Sequence, residues 1–363
     1  MSKPRLVDDL IPEILSWSTW WPRDLLRVTT VSRSWLFYAR KLLYYKPSLH
    51  SFPALRLFAR SIQNNPTVLL PLINGIELCP TTTGFGQCLG FGAEEARAAR
   101  IILGIKGLKS VCLGGELAVC AERFLNCLDY SHSVEELTVD GSLIADSLSL
   151  CTIPSFEWDE IMACKFSRVQ KLRFSYIGLD IVYPASPYQL QLTDLALDHV
   201  DILSGNLQWL LQETSTLKHL RVSGESSPEL DEHVALVLES YRLESLHYQV
   251  GSSPSWNLSL FDRELAAAVS LRSLHLDGVR VDSELLRSIH ARCPAMEQLY
   301  ISGRYVPLTR EDWIGCIASG LFPALRKLGL PEGTFSPPFT RWTASLEPTL
   351  QKVCSRRGVS LLC

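Results

Sequence analysis

Apolar residues recur along this chain in one six-residue phrase, apolar-x-x-apolar-x-apolar. Its apolar positions are Ile73, Ile76 and Leu78; Leu108, Val111 and Leu113; Val134, Leu137 and Val139; Val169, Leu172 and Phe174; and Leu192, Leu195 and Leu197. The phrase returns at Leu217, Leu220 and Val222; Leu243, Leu246 and Tyr248; Leu271, Leu274 and Leu276; Met296, Leu299 and Ile301; and Leu325, Leu328 and Leu330. Successive starts lie 35, 26, 35, 23, 25, 26, 28, 25 and 29 residues apart. Most of these gaps fall in the window of roughly 20–29 residues that one strand plus one helix occupies in a stacked array. Each such unit buries its apolar face only against its neighbours, so the period predicts a solenoid of about ten repeats over residues 68–363.

Within the phrase, the fourth and sixth positions are two apart, the period of a strand with one buried face. The first position enters the core just before the strand. Between phrases, apolar residues three and four apart predict helices. Leu285, Leu286 and Ile289 form one stripe, with Asp282 placed to cap its N-terminus. Val234, Leu238 and Tyr241 form another, and Ala93 to Leu103 a third. Thr309 with Asp312 three residues on reads as a near capping box. Parallel strands on a concave face and helices on a convex face follow. Positions three, five and seven then face solvent on the concave side and carry Lys171 and Arg173, Asp194 and Asp198, His219 and Arg221, His247, His275 and Tyr300. Mixed charge of this kind suits protein recognition better than a groove of one sign. Arg173 and Arg221, separated by one strand, are placed about 10 Å apart at the backbone, near enough for long side chains to share an anion.

Composition narrows the function classes. A net charge of −3 gives no electrostatic reason to expect nucleic acid or an anionic membrane as partner. Asp8, Asp9 and Glu13 interrupt the first apolar stretch, unlike a secretory signal. The run from Val68 to Ile73 is short and holds Pro71, far from a membrane span. Eleven cysteines are scattered without a CxxC pair; Cys112, Cys120 and Cys127 lack the spacing of a zinc site, so buried thiols in a reducing compartment are expected. No metal or other cofactor is expected. The stripe of His219, His247 and His275 reads as polar surface rather than as a ligand set, because His219 occupies position three and the other two position five. The sequon at Asn257 matters only in a secreted chain. Two longer gaps hold inserted loops, residues 80–92 and 144–158. Gly84, Gly86 and Gly90 in the first have no following lysine and do not make a phosphate loop.

The first 46 residues follow a different pattern. Pro12 and Glu13 open one short helix, Pro22 and Asp24 a second carrying Leu25, Val28 and Val31, and a third runs through Trp35, Tyr38, Ala39 and Leu42. Residues 47–67 read as a helical linker or cap. Here the chain resembles the F-box family: Leu10, Pro12, Glu13, Ile14 and Leu15 match the first half of its pattern. Pro22, Arg23, Asp24, Leu25, Leu26, Arg27, Val31, Ser32, Arg33 and Trp35 match the second half in register. Ile11 departs from the family's first proline, and the connection to Pro22 is shorter than usual. The remainder is similar to F-box proteins with leucine-rich repeats, especially fungal ones, down to the helix-to-strand junction from Ile289 to Ile301.

The resemblance implies an α/β fold, an N-terminal three-helix F-box followed by a leucine-rich-repeat solenoid. It also implies the substrate-recognition subunit of an SCF-type ubiquitin ligase, cytoplasmic or nuclear. Leu10, Pro12, Ile14, Leu15, Leu25, Leu26, Val28, Val31 and Trp35 would make or support contact with a Skp-type adaptor and, through it, a cullin. The repeats would hold an unidentified target protein. The alternative is a repeat scaffold whose N-terminal helices serve only as a cap. An enzyme is not expected, since no GxSxG, HExxH or Walker-type lysine motif occurs, although Asp198, His219 and Arg221 could meet across repeats.

Overall fold

The computed structural model describes residues 10–16, 20–82, 92–145, 154–251, 258, 260–261, 268–303, 306–331 and 348–362. Gly84, Gly86 and Gly90 of the first loop, residues 146–153 of the second loop, and Asn257 lie outside them. The chain is mixed α/β with parallel strand pairing and divides into two compact units, residues 1–152 and 153–363.

The first unit opens with helices α1 (Ile11–Ser16), α2 (Pro22–Val28) and α3 (Arg33–Tyr45). Pro22 stands at the first turn of α2, and the Ser32 hydroxyl caps α3 by accepting from the Trp35 backbone N–H at 3.3 Å. Ile11, Leu15, Leu25 and Ala39 form their small core, with Trp20, Val28, Trp35, Tyr38 and Leu43 packed around it. The strand ladder begins inside the 47–67 segment. Strand β1 (Ser48–Leu49) pairs in parallel with β2 (Gly75–Leu78), which pairs with β3 (Ser110–Gly114) and then β4 (Glu136–Asp140). Helices α4 (Phe52–Asn64), α5 (Pro66–Leu69), α6 (Ala93–Leu103), α7 (Ala121–Asn126) and α8 (Ser142–Ala145) connect or follow them. The alanines Ala98 and Ala99 are buried on α6, and Arg56 of α4 reaches its Glu95 at 3.2 Å.

In the second unit the expectation of one strand and one helix per repeat holds only in part. Strands β5 (Ser155–Trp158), β7 (Gly178–Ile181) and β9 (Asp201–Ser204) form a second parallel sheet in the order β5-β7-β9. They alternate with β6 (Lys171–Ser175) and β8 (Asp194–Asp198) of the main ladder. Between β6 and β8, Pro184 and Pro187 exclude a helix, and β7 fills the gap. Helices α9 (Glu160–Lys165) and α10 (Leu207–Leu211) have six and five residues. Phe156 and Trp158 of β5 pack against Phe174 of β6, with ring centroids 5.3 and 6.0 Å apart. Beyond β10 (His219–Gly224) the helices resume. They are α11 (Pro228–Ser240), which precedes β11 (Ser245–Val250); α12 (Ser283–Arg292), between β12 (Ser273–Asp277) and β13 (Gln298–Ser302); and α13 (Arg310–Ala318), which precedes β14 (Lys327–Gly329). Helix α14 (Pro348–Arg356) and strand β15 (Ser360–Leu362) complete the unit.

The phrase behaves as its period requires. All of its first and fourth positions are buried, and so are the sixth positions apart from Leu330. The ladder keeps them in register, pairing Leu172 with Leu195, Leu195 with Leu220, Leu220 with Leu246, Leu246 with Leu274, and Leu274 with Leu299. At about 25 cal/mol per Å² of apolar surface, these layers are the main source of stability. The expected caps form as well. Asp282 Oδ1 accepts from the backbone of Glu284 and Leu285 at 3.1 and 3.0 Å, and Thr309 with Asp312 closes a full capping box.

Candidate functional site

The outward positions of β6, β8, β10, β11, β12 and β13 make one polar face of the second unit. Because parallel strands keep register, position five forms a row across them. Arg173 pairs with Ala196, Ala196 with Arg221, Arg221 with His247, His247 with His275, and His275 with Tyr300. Lys171, Asp194 and His219 form the neighbouring row at position three. Lys171 and His219 are exposed and Asp194 is half-buried.

Position seven departs from the expected solvent-facing role. Ser175, Asp198 and Ser223 are buried although they point away from the leucine core. Asp198 collects the groups around it. Its Oδ2 takes Arg173 Nη2 at 2.6 Å, and its Oδ1 accepts from Ser223 Oγ at 2.9 Å and faces Arg221 Nε at 3.4 Å. Arg173 Nε also donates to Ser175 Oγ at 3.3 Å. The two arginines, placed by the sequence to share an external anion, therefore converge first on an internal carboxylate. Their side chains remain 55% and 52% exposed, against 8% for Asp198. Two half-solvated guanidiniums on one buried carboxylate leave a local charge of about +1 and hold both forks in place.

The chain turns sharply beside this cluster. Tyr176 and His199, at the eighth position of their phrases, have φ of 52° and 51°, the left-handed region. Other phrases put glycine there; Gly278 has φ of 74°, and a Cβ on it would meet the Val250 carbonyl oxygen at 2.0 Å. Tyr176 and His199 hold the strained conformation while their rings stack 4.6 Å apart at 19°. The Tyr176 backbone N–H donates to the Asp198 carbonyl at 2.8 Å, so the turn is tied to the same strand end. A search for interrupted glycines at position eight would have found these two residues; the burial of Ser175 and Ser223 has no comparable signal.

Next to Arg221 the rings of His247 and His275 lie 4.1 Å apart, and Tyr300 follows at 5.5 Å. Burial, the neighbouring His275 and Arg221 push His247 down to about 4. Burial first, with Arg221, also lowers His275, while Asp277 opposes it. Both rings are thus neutral near pH 7, and His275 Nε2 lies 3.2 Å from Ser302 Oγ. His219 stays apart in the other row. Among the described residues no group of three or more His, Cys, Asp or Glu side chains is arranged to hold a metal ion, and no helix is long and apolar enough to cross a membrane.

The residues expected to meet an adaptor divide into two sets in the first unit. Leu15 and Leu25 are buried in the three-helix core, with Val28 and Trp35 half-buried against it. Leu10, Ile14, Leu26 and Val31 are exposed, as is Pro12. Trp21 and Phe37, not singled out in the sequence, are also exposed, at 75% and 60%. Neither the protein-family models nor the curated proteins hold a match to this chain.

Proposed function

We propose that this chain is the substrate-recognition subunit of an SCF-type ubiquitin ligase, an F-box followed by leucine-rich repeats. The observation that carries the reading is the exposed apolar set on the three N-terminal helices. Leu10, Ile14, Trp21, Leu26, Val31 and Phe37 stay in solvent while Ile11, Leu15, Leu25 and Ala39 already fill the helices' own core. Large apolar side chains left over after a core is complete suit an interface with another protein. On this reading a Skp-type adaptor covers the exposed set, a cullin joins through the adaptor, and the polar strand face holds a target protein. The chain performs no bond chemistry; it raises the effective concentration of target lysines near a conjugating enzyme bound elsewhere.

The test is capture of the full chain by a purified Skp-type adaptor. Leu26→Asp with Val31→Asp should weaken capture at least about tenfold, as loss of interface anchors does, with an unchanged thermal unfolding midpoint. A folded wild-type chain that fails to bind would remove the ligase reading. The second reading, an interaction scaffold with a helical cap, draws on one observation. The Tyr45 carbonyl accepts from Asn74 N–H at 2.9 Å and the Pro47 carbonyl from Glu77 N–H at 3.0 Å, tying the end of α3 to the first ladder strands. The two readings share the target-binding face and differ only in the adaptor.

A further inference from the structure

Arg173 and Arg221 have more donors than Asp198 can use. Arg173 spends Nη2 on the carboxylate and Nε on Ser175, and Arg221 faces the carboxylate through Nε. The remaining terminal nitrogens make no hydrogen bond among the described residues. A guanidinium fixed at one edge and open at the other is preorganised for a second oxyanion, because its orientation entropy is already spent. Ala196 lies between the two arginines in the row and carries only a methyl group. On the other side of Arg221 the row continues into three ring systems on adjacent strands, with centroids 4.1 and 5.5 Å apart and planes tilted by 31° and 32°. The face thus offers cationic forks and, one strand away, a run of three half-buried rings.

We propose that the Arg173–Asp198–Arg221 cluster binds an oxyanion, carboxylate or phosphate, on a target segment whose neighbouring residue packs against the half-buried rings of His247, His275 and Tyr300. The inference gives a chemistry to the target of the proposed receptor and takes its setting from that reading, yet it is tested on the chain alone. A failed adaptor capture and a failed oxyanion site are therefore separate results.

The probes are three capped tetrapeptides, Gly-Asp-Tyr-Gly, its phosphoserine counterpart and its asparagine counterpart. They are titrated into the full chain carrying histidines labelled at Cε1, and the His247 and His275 signals are followed by NMR. Both charged probes should shift those signals and bind at least about tenfold tighter than the asparagine probe, the increment of one charge-assisted hydrogen bond. A clear lead for phosphoserine assigns the site to phosphate, and parity or a lead for aspartate assigns it to acidic side chains; either supports the proposal. Binding of the asparagine probe within about twofold of the charged ones overturns it, as does absence of shifts at His247 and His275. The pair Arg173→Lys with Arg221→Lys keeps charge beside Asp198 and removes the planar forks, and the preference for charged probes should fall toward unity. Retention of the full preference in that pair also overturns the proposal. Comparing the probes on the wild-type chain keeps the test decisive even if the lysine pair does not fold.

Discussion

Acidification should weaken the second unit through His247. Its ring is pushed from an ordinary value of 6.5 down to about 4 by burial first, then by His275 at 4.1 Å and Arg221 on the adjacent strand, with Asp277 and Asp198 opposing. Because the folded value lies below the unfolded one, the unfolded chain takes up this proton first as pH falls. Stability is therefore intact above about pH 6.5, is lost progressively down to about pH 4, and falls no further for this group below that. Between about pH 7.5 and pH 5, linkage with these values amounts to about 2 kcal/mol. The ring is only half-buried, and solvent screening reduces the effect to about 1 kcal/mol. The assay is urea unfolding of the wild type and of His247→Gln at both pH values, with the His247 Cε1 resonance titrated in parallel. Titrating groups remote from His247 contribute equally to both proteins, so the variant should lose about 1 kcal/mol less than the wild type on acidification. An NMR midpoint of about 6 or higher, or identical losses in the two proteins, would refute the reasoning about burial and stacking.

Leu274→Ala, at a fully buried fourth position of the phrase, should cost about 2–5 kcal/mol in urea unfolding, whereas Leu203→Ala on the exposed side of β9 should stay within about 0.5 kcal/mol; equal effects would mean that the ladder is not the stabilising core. Asp198→Asn should be milder than Arg173→Gln combined with Arg221→Gln, because the first leaves half-solvated guanidiniums and the second strands a buried carboxylate beside Ser223. Unfolding free energies of the two variants settle the order, and the reverse order would show that the arginines do not hold the carboxylate in place.

The inward half of the structure was legible because burial imposes a period. A residue such as Leu246 or Leu274 can occupy its slot only if the apolar set recurs at positions one, four and six, and that recurrence is visible in one dimension. The caps at Asp282 and Thr309 were legible for a similar reason, since both partners lie within three residues. The second sheet was not. Its strands satisfy the alternation of a strand as well as the loose spacing of a short helix, and only for β7 do the short segment between β6 and β8 and Pro184 with Pro187 decide between them. The Asp198 cluster was less legible still. An outward polar residue looks the same whether water or two arginines surround it, and its partners Arg173 and Arg221 lie 25 and 23 residues away in sequence.

The repeat dictates what faces inward and leaves the outward rows free, so departures from the simplest outward residue carry information about use. Small residues in the position-five row are part of that choice. A Cβ on Gly329 would come within 2.6 Å of Tyr300 Cδ1, so the glycine is what lets the last ring of the ladder lie against its neighbouring strand. Ala196, another small residue, separates Arg173 from Arg221 in the same row. Tyr176 and His199 complete the pattern at a cost of about 1 kcal/mol each for a left-handed non-glycine backbone, where glycine serves other turns of the same ladder. A face that needed only solubility would require neither strained aromatic turns nor a carboxylate buried beneath two arginines. The fixed forks and the tilted rings on consecutive strands lie in the rows that core packing leaves unconstrained.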